Sequence, residues 1–291
     1  MQNFNYFVTQ QPKEPLYHYT SLDGLMGIVE SGYMWASNPL YLNDSTELLL
    51  AQSQMMESIK VKLNSSSVAQ VDKTILDQFH YWLSLGNINM KSLFVSSFSE
   101  KGNVLSQWRG YTPKNKGISF CFSPFDIFTL ASSQNYRLLK CVYDETDQKK
   151  IVEDAIEAIL IYCRECGVNP NLHPSQSYFT CLENCSELIL TASVLIKHKA
   201  FSEECEWRLV SQMTSILQDP TVKYRVGDSA LIPYRAFSIA QKDGKIRFSS
   251  LYVGPTSSMN LSQASISNFL GTNKVVLTNG ILNCQIPYIS S

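Results

Sequence analysis

The feature that most limits what this chain can fold into is one interval of helical periodicity, Asp147 to Lys199, set among many short segments that alternate apolar and polar residues. Alternation at every second residue marks a strand with one covered face. Apolar residues three and four apart mark an amphipathic helix instead. Five strand-like segments precede the interval: LYHYTS (16–21), YMWAS (33–37), SLFVSSFSE (92–100), GISFCFSP (117–124) and YRLLKCVYD (136–144). ECEWRLV (204–210) follows it, then weaker strands near VKYRV (222–226), IRFSSLYVGP (246–255) and KVVLT (274–278). Many strands with one helix-rich stretch predict an α+β protein, a single domain over 1–291 carrying a helical insertion over 147–199.

Local signals place the other elements. Thr20 or Ser21 can cap a helix over LDGLMGIVE, and Gly32 stands where a left-handed terminating residue belongs. Asp44, three residues before Glu47, resembles a capping box opening a helix from Asn43 to about Leu63. A further helix is expected over 70–85, and GVNPNLHPSQS (167–177) should split the helical interval in two. The stretch GNVLSQWRGYTPKNKG (102–117) reads as a connector.

Charge narrows the choice of partners. Lys and Arg number 24 against 25 Asp and Glu, so no global field exists to gather nucleic acid or an acidic membrane. Local charge at Lys114, Lys116, Lys197 and Lys199 leaves nucleic acid open as a partner. The opening residues lack the basic and apolar regions of a signal peptide, and no run reaches the roughly 18 apolar residues of a membrane span, so a cytoplasmic protein without a membrane partner is expected. Its eight cysteines then read as reduced thiols. Four of them, Cys163, Cys166, Cys181 and Cys185, approach the spacing of a structural zinc site. Both pairs fall in helical-looking segments, so packing of small thiols between two helices accounts for that spacing and is the preferred reading.

Three polar segments could carry chemistry. In ECEWRLV, alternation places Glu204, Glu206 and Arg208 on one face and Cys205, Trp207 and Leu209 on the other. By itself such a face is accounted for as solvated, with the Arg neutralising the acids. In LYHYTS, His18 and Thr20 share a face with Leu16, while Tyr17 and Tyr19 point away. Taken alone, His18 reads as a core histidine and Thr20 as a helix cap. Ser97 and Ser99 share a strand face in SLFVSSFSE. The run Trp108-Arg109-Gly110-Tyr111 could stack a base and clamp a phosphate, or plug the core with aromatic rings.

In chain order these strands, H-x-T, S-x-S and E-x-E, resemble the three-motif layout of the ADP-ribosyltransferase superfamily. The fuller wording, LYHYTS, LNDSTE, SFSE with LSQWRGY, and FSEECEWRLV, is similar to an uncharacterised prokaryotic family of unknown function. The superfamily resemblance implies a split β-sheet core with flanking helices and NAD as co-substrate. It also implies transfer of ADP-ribose to a protein or nucleic-acid acceptor, as in a toxin or phage-defence effector. On that resemblance His18, supported by Thr20, would bind ribose hydroxyls, Ser97 and Ser99 would floor the nicotinamide ribose, and one of Tyr19, Tyr33, Trp108 or Tyr111 would stack on nicotinamide. Glu206 would be catalytic and Glu204 would face the acceptor. Cleaving the glycosidic bond develops an oxocarbenium-like cation that a fixed carboxylate stabilises. The alternatives are a glycohydrolase that uses water, or a module that binds a nucleotide or nucleic-acid end without reacting.

Overall fold

A computed structural model describes residues 2–42, 46–86, 91–112 and 116–286. The first half forms α1 (Gln2–Val8), β1 (Leu16–Ser21), α2 (Leu22–Ser31), β2 (Tyr33–Ser37), α3 (Thr46–Asn64), α4 (Gln70–Ser84), β3 (Lys91–Ser92), β4 (Val95–Ser99), α5 (Leu105–Tyr111), β5 (Gly117–Phe122), α6 (Pro124–Ser133) and β6 (Arg137–Lys140). Three helices follow: α7 (Glu145–Cys166), α8 (Phe179–Asn184) and α9 (Ser186–Leu195). The remainder is β7 (Glu206–Val210), β8 (Thr214–Ser215), β9 (Lys223–Val226), β10 (Leu231–Ser238), β11 (Arg247–Phe248), β12 (Ser250–Val253), α10 (Met259–Thr272), β13 (Val276–Leu277) and β14 (Ile281–Asn283). This is a mixed α/β protein, consistent with the α+β expectation.

Short-range chemistry explains where the elements begin and end. Ser21, not Thr20, caps α2, its hydroxyl accepting from the Gly24 amide at 2.9 Å. Gly32 ends that helix at φ 74°, where a side chain would be strained. Gly24 itself leaves no room for a Cβ, because the Thr20 hydroxyl occupies that space. Asp144 caps α7 by accepting from the amides of Thr146 and Asp147, and Gly167 closes it. The break expected over 167–177 holds only a short 3-10 turn, Pro174–Gln176. The capping residues Asn43 and Asp44 proposed for α3 lie outside the described residues. Among the described residues no helix is long and apolar enough to cross a membrane.

The main sheet runs β14-β12-β5-β1-β4-β2-β10-β9, with β7 and then β6 branching from β4. Its register explains the branch. β7 pairs along all of β4, from Val95↔Val210 to Ser99↔Glu206. Ser99 also pairs with Tyr17 of β1, and Val95 with Ser37 of β2. A strand has two edges, so β1 and β2 share the edge of β4 opposite β7, one at each end. The sheet therefore forks there.

Alternation sorts the core onto the two sheet faces. Val95, Leu139 and Val210 pack beneath the helical layer containing α3, α4, α7 and α9. Their neighbours Phe94, Phe98, Leu138, Trp207 and Leu209 face the other way, into a core shared with Leu25 of α2, Ile127 of α6 and Leu270 of α10. Each buried aliphatic or aromatic side chain contributes roughly 1.5–3 kcal/mol.

Candidate functional site

The strands holding the three polar motifs are spatial neighbours, in the order β1, β4, β7. Register aligns Tyr17 with Ser99 and Ser99 with Glu206, so these three, with Tyr19, Ser97 and Arg208, belong to one sheet face. His18 and Thr20 belong to the opposite face. The His18 ring contacts Phe98 and Phe120 at centroid distances of 5.6 and 5.3 Å. β4 stands between His18 and Glu206, and the two side chains leave opposite faces of the sheet.

His18 nonetheless has a defined task at the fork. Its Nδ1 lies 2.9 Å from the Ser97 carbonyl oxygen, on the stretch of β4 edge between the β1 and β2 pairings. A carbonyl only accepts, so Nδ1 carries the proton and donates. Burial holds the His18 pKa below its ordinary value, outweighing the opposing pull of the Ser97 carbonyl. The ring is therefore neutral, with Nε2 as an acceptor.

Glu204 and Glu206 meet in a buried ion cluster. The strand starts only at Glu206; Glu204 ends a 3-10 helix (Lys199–Glu204), and Cys205 between them is left-handed at φ 44°. That kink corrects the expectation of one continuous strand face, yet it turns both carboxylates toward a common partner. Lys197 Nζ lies 2.8 Å from Glu204 and 2.7 Å from Glu206. Arg208 adds Nε at 3.0 Å and Nη2 at 3.2 Å to the two Glu206 oxygens, while its Nη1 donates to the Val194 carbonyl at 2.9 Å. The Cys141 thiol lies 3.6 Å from Glu206, and the Tyr143 hydroxyl accepts from the Glu206 amide at 2.9 Å.

The solvated-face reading of Glu204, Glu206 and Arg208 fails on burial. Lys197 is 0% exposed, Glu204 7%, Glu206 4% and Arg208 5%. Two cations and two carboxylates balance. Burial alone would push the Glu206 carboxyl up, but Arg208 and Lys197 outweigh it and hold the pKa at about 2. Glu206 is thus a permanent carboxylate and carries no proton near neutrality. Lys197, expected to offer surface charge, is instead sealed inside, whereas Lys116 and Lys199 are exposed and Lys114 lies outside the described residues.

The aromatic motif divides between core and border. Trp108 is buried, edge-on to Tyr19 at 4.8 Å, and its indole donates to Asn103 at 2.9 Å. A Cβ on Gly117 or Gly254 would come within 3.0 Å of its ring. Trp108 therefore plugs the core, and Tyr19 is fixed by donating to the Lys101 carbonyl at 2.7 Å. Tyr111 at the end of α5 is partly exposed and donates to Glu204 at 3.3 Å, making it the border of the ion cluster. Arg109 is exposed on the same helix. Ser99 donates to the Glu204 carbonyl at 2.6 Å and accepts from the Lys101 amide, so its hydroxyl joins two chain segments. Tyr33 lies on β2, on the other branch of the fork.

The structure thus gathers Glu204, Glu206, Arg208 and Tyr111, with Ser99 tied to the Glu204 backbone, and adds Lys197, Cys141 and Tyr143. Lys197 had a signal in the sequence: a lysine directly after the largely apolar segment Ala192 to Ile196. Of the four clustered thiols, Cys163, Cys181 and Cys185 are buried and Cys166 is exposed. Among the described residues no group of three or more His, Cys, Asp or Glu side chains could hold a metal ion. An open groove along α10, lined by Gln263, Ser267, Leu277 and Ile281, shares no residue with the ion cluster.

The family model described as a protein of unknown function (DUF2971) matches residues 107–209. The match runs from α5 to β7, so it contains Trp108, Tyr111, Lys197, Glu204, Glu206 and Arg208, and leaves His18 and Ser97 outside. This supports, over that stretch, the expected likeness to a family of unknown function. No curated protein and no solved structure matches the chain.

Proposed function

We propose that this chain is an NAD-cleaving enzyme of the ADP-ribosyltransferase type, with its site where β1, β4 and β7 adjoin and the sheet forks. One observation carries the reading: three polar motifs, His18 lying 79 residues before Ser97 and Ser99 lying 105 before Glu204, fall on or at the start of adjacent strands. The fork supports the split-sheet core that the motif resemblance implies. His18, neutral and on the sheet face opposite Glu206, acts on this reading by holding β4 through the Ser97 carbonyl. Glu206 is ionised at every physiological pH, as a group that stabilises a cationic transition state must be. Nicotinamide departs neutral, so no general acid is needed. Tyr111 is the better candidate for the stacking ring, because Trp108 and Tyr19 are committed to packing.

A second reading has its own observation. Both Glu206 oxygens are engaged by Lys197 and Arg208, on the sheet face opposite His18. Catalysis requires one of these pairs to open; a module that binds the nucleotide without cleaving it does not. Incubation of the pure chain with NAD⁺ separates the readings by free nicotinamide, with calorimetry for binding. Under the enzymatic reading Glu206→Gln lowers release by about 10²–10³-fold while circular dichroism shows a folded protein. Binding without release selects the module, and neither binding nor release overturns both. Nicotinamide release without labelled macromolecule identifies water as the acceptor.

A further inference from the structure

We propose that the outer branch of the fork, β2, β10 and β9, presents a binding face for single-stranded nucleic acid, a surface separate from the NAD reading. Register places Tyr33 and Trp35 of β2, Tyr234 of β10, and Lys223 and Arg225 of β9 on one face. Trp35 is 53% exposed and Tyr33 47%. The Trp35 and Tyr234 rings lie 5.1 Å apart, and the Arg225 guanidinium sits 5.5 Å from the Trp35 ring. Among the described residues no carboxylate pairs with Lys223 or Arg225, and Arg225 Nε is buried without a hydrogen-bond partner. Arg235, on the opposite face of β10, pairs with Asp219 at 3.7 Å.

Two features of this face select its occupant. Exposed rings offer stacking to unpaired bases, and cations without counter-charges offer contacts to a polyanion. An apolar peptide would use the rings and leave Lys223 and Arg225 unanswered. A duplex hides its base faces and could use only the cations. β2, β9 and β10 themselves carry no acid, and Asp228 stands in the turn between β9 and β10. With a net charge of −1 the chain exerts no long-range attraction, so affinity rests on stacking with a shallow salt dependence. Two phosphate contacts predict a log–log slope of about −1.4 for a single strand.

The test is fluorescence anisotropy of the full chain with labelled twenty-nucleotide dT and rU strands and a duplex control, across a salt series and without NAD⁺. The expected result is binding of at least one single strand in preference to duplex, weakened about tenfold or more by Trp35→Ala or Tyr234→Ala. Replacing Lys223 and Arg225 by Gln brings the slope toward zero, and the stronger of the dT and rU arms identifies the sugar. No binding at low salt, equal binding of duplex, or affinity indifferent to Trp35→Ala overturns the proposal. So does concentration-dependent self-association abolished by Trp35→Ala without oligonucleotide binding, which assigns the face to a second copy of the chain. Trp35→Ala leaves acceptor-free NAD⁺ cleavage unchanged, and Glu206→Gln leaves strand binding unchanged, so each idea fails separately.

Discussion

The ion cluster and the outer aromatic face lie on the same face of one sheet, linked by register through Ser37, Val95 and Val210. On one branch Glu206 and Arg208 are sealed beneath the helices; on the other, Trp35 and Tyr33 are open to solvent. Alternating residues alone do not decide this. The helices between β6 and β7 cover only the first branch, so the same strand chemistry yields a dry electrostatic lock in one place and an accessible surface in the other. Cover converts polar side chains into structure, and its lack leaves aromatic ones for partners.

The contrast breaks most visibly at Lys197. Lys197→Met leaves two buried carboxylates with a single cation, and urea unfolding should register a loss of about 3–5 kcal/mol. The next effect is pH-dependent. Burial opposes the charge of Glu206, but Arg208 and Lys197 hold its folded pKa at about 2 against an ordinary 4.5. The unfolded chain therefore binds the proton first as pH falls. The resulting stability, on the order of 3 kcal/mol, is complete above about pH 4.5 and lost toward pH 2. Urea titrations over that window should lose this part of the slope in Glu206→Gln; an unchanged slope would mean that another group carries it. Cys205→Gly relieves the left-handed strain beside the cluster and should raise stability by about 1 kcal/mol, read as a higher melting temperature. Comparable in size, Trp35→Ala should cost about 1 kcal/mol of unfolding free energy, through the lost contacts with the Tyr234 ring and the Arg225 guanidinium.

Much of the sheet was legible because period two survives in the sequence. The segments around β1, β2, β4, β5, β6 and β7 were all marked by alternation or by short apolar runs, and Gly32 and the 167–177 break announced themselves. What escaped did so for local reasons. Glu204 left the strand because Cys205 adopts a left-handed conformation that its residue type does not advertise. β10 carries Pro233, which disguises a strand. Helix α5 hides in a Gly- and Pro-flanked stretch that reads as a connector, and α10 is rich in Ser and Asn. Helix α6 was missed as well, although Ser123-Pro124 with Asp126 is a helix-start pattern: Ser123 accepts from the Asp126 amide at 3.1 Å. For the site, Glu204, Glu206 and Arg208 could be singled out from one heptapeptide. Their burial could not, because it depends on α9 and Lys197 folding over them.

At Ser97 the fold mends a gap in its own fabric with an imidazole. Where two diverging ribbons leave a peptide oxygen exposed, an amide from a third strand would be the permanent stitch; here the stitch is a side chain that a single codon change can remove. Exchanging His18 for a residue without a donor unpicks that seam, and the crack it leaves runs through the middle of the sheet.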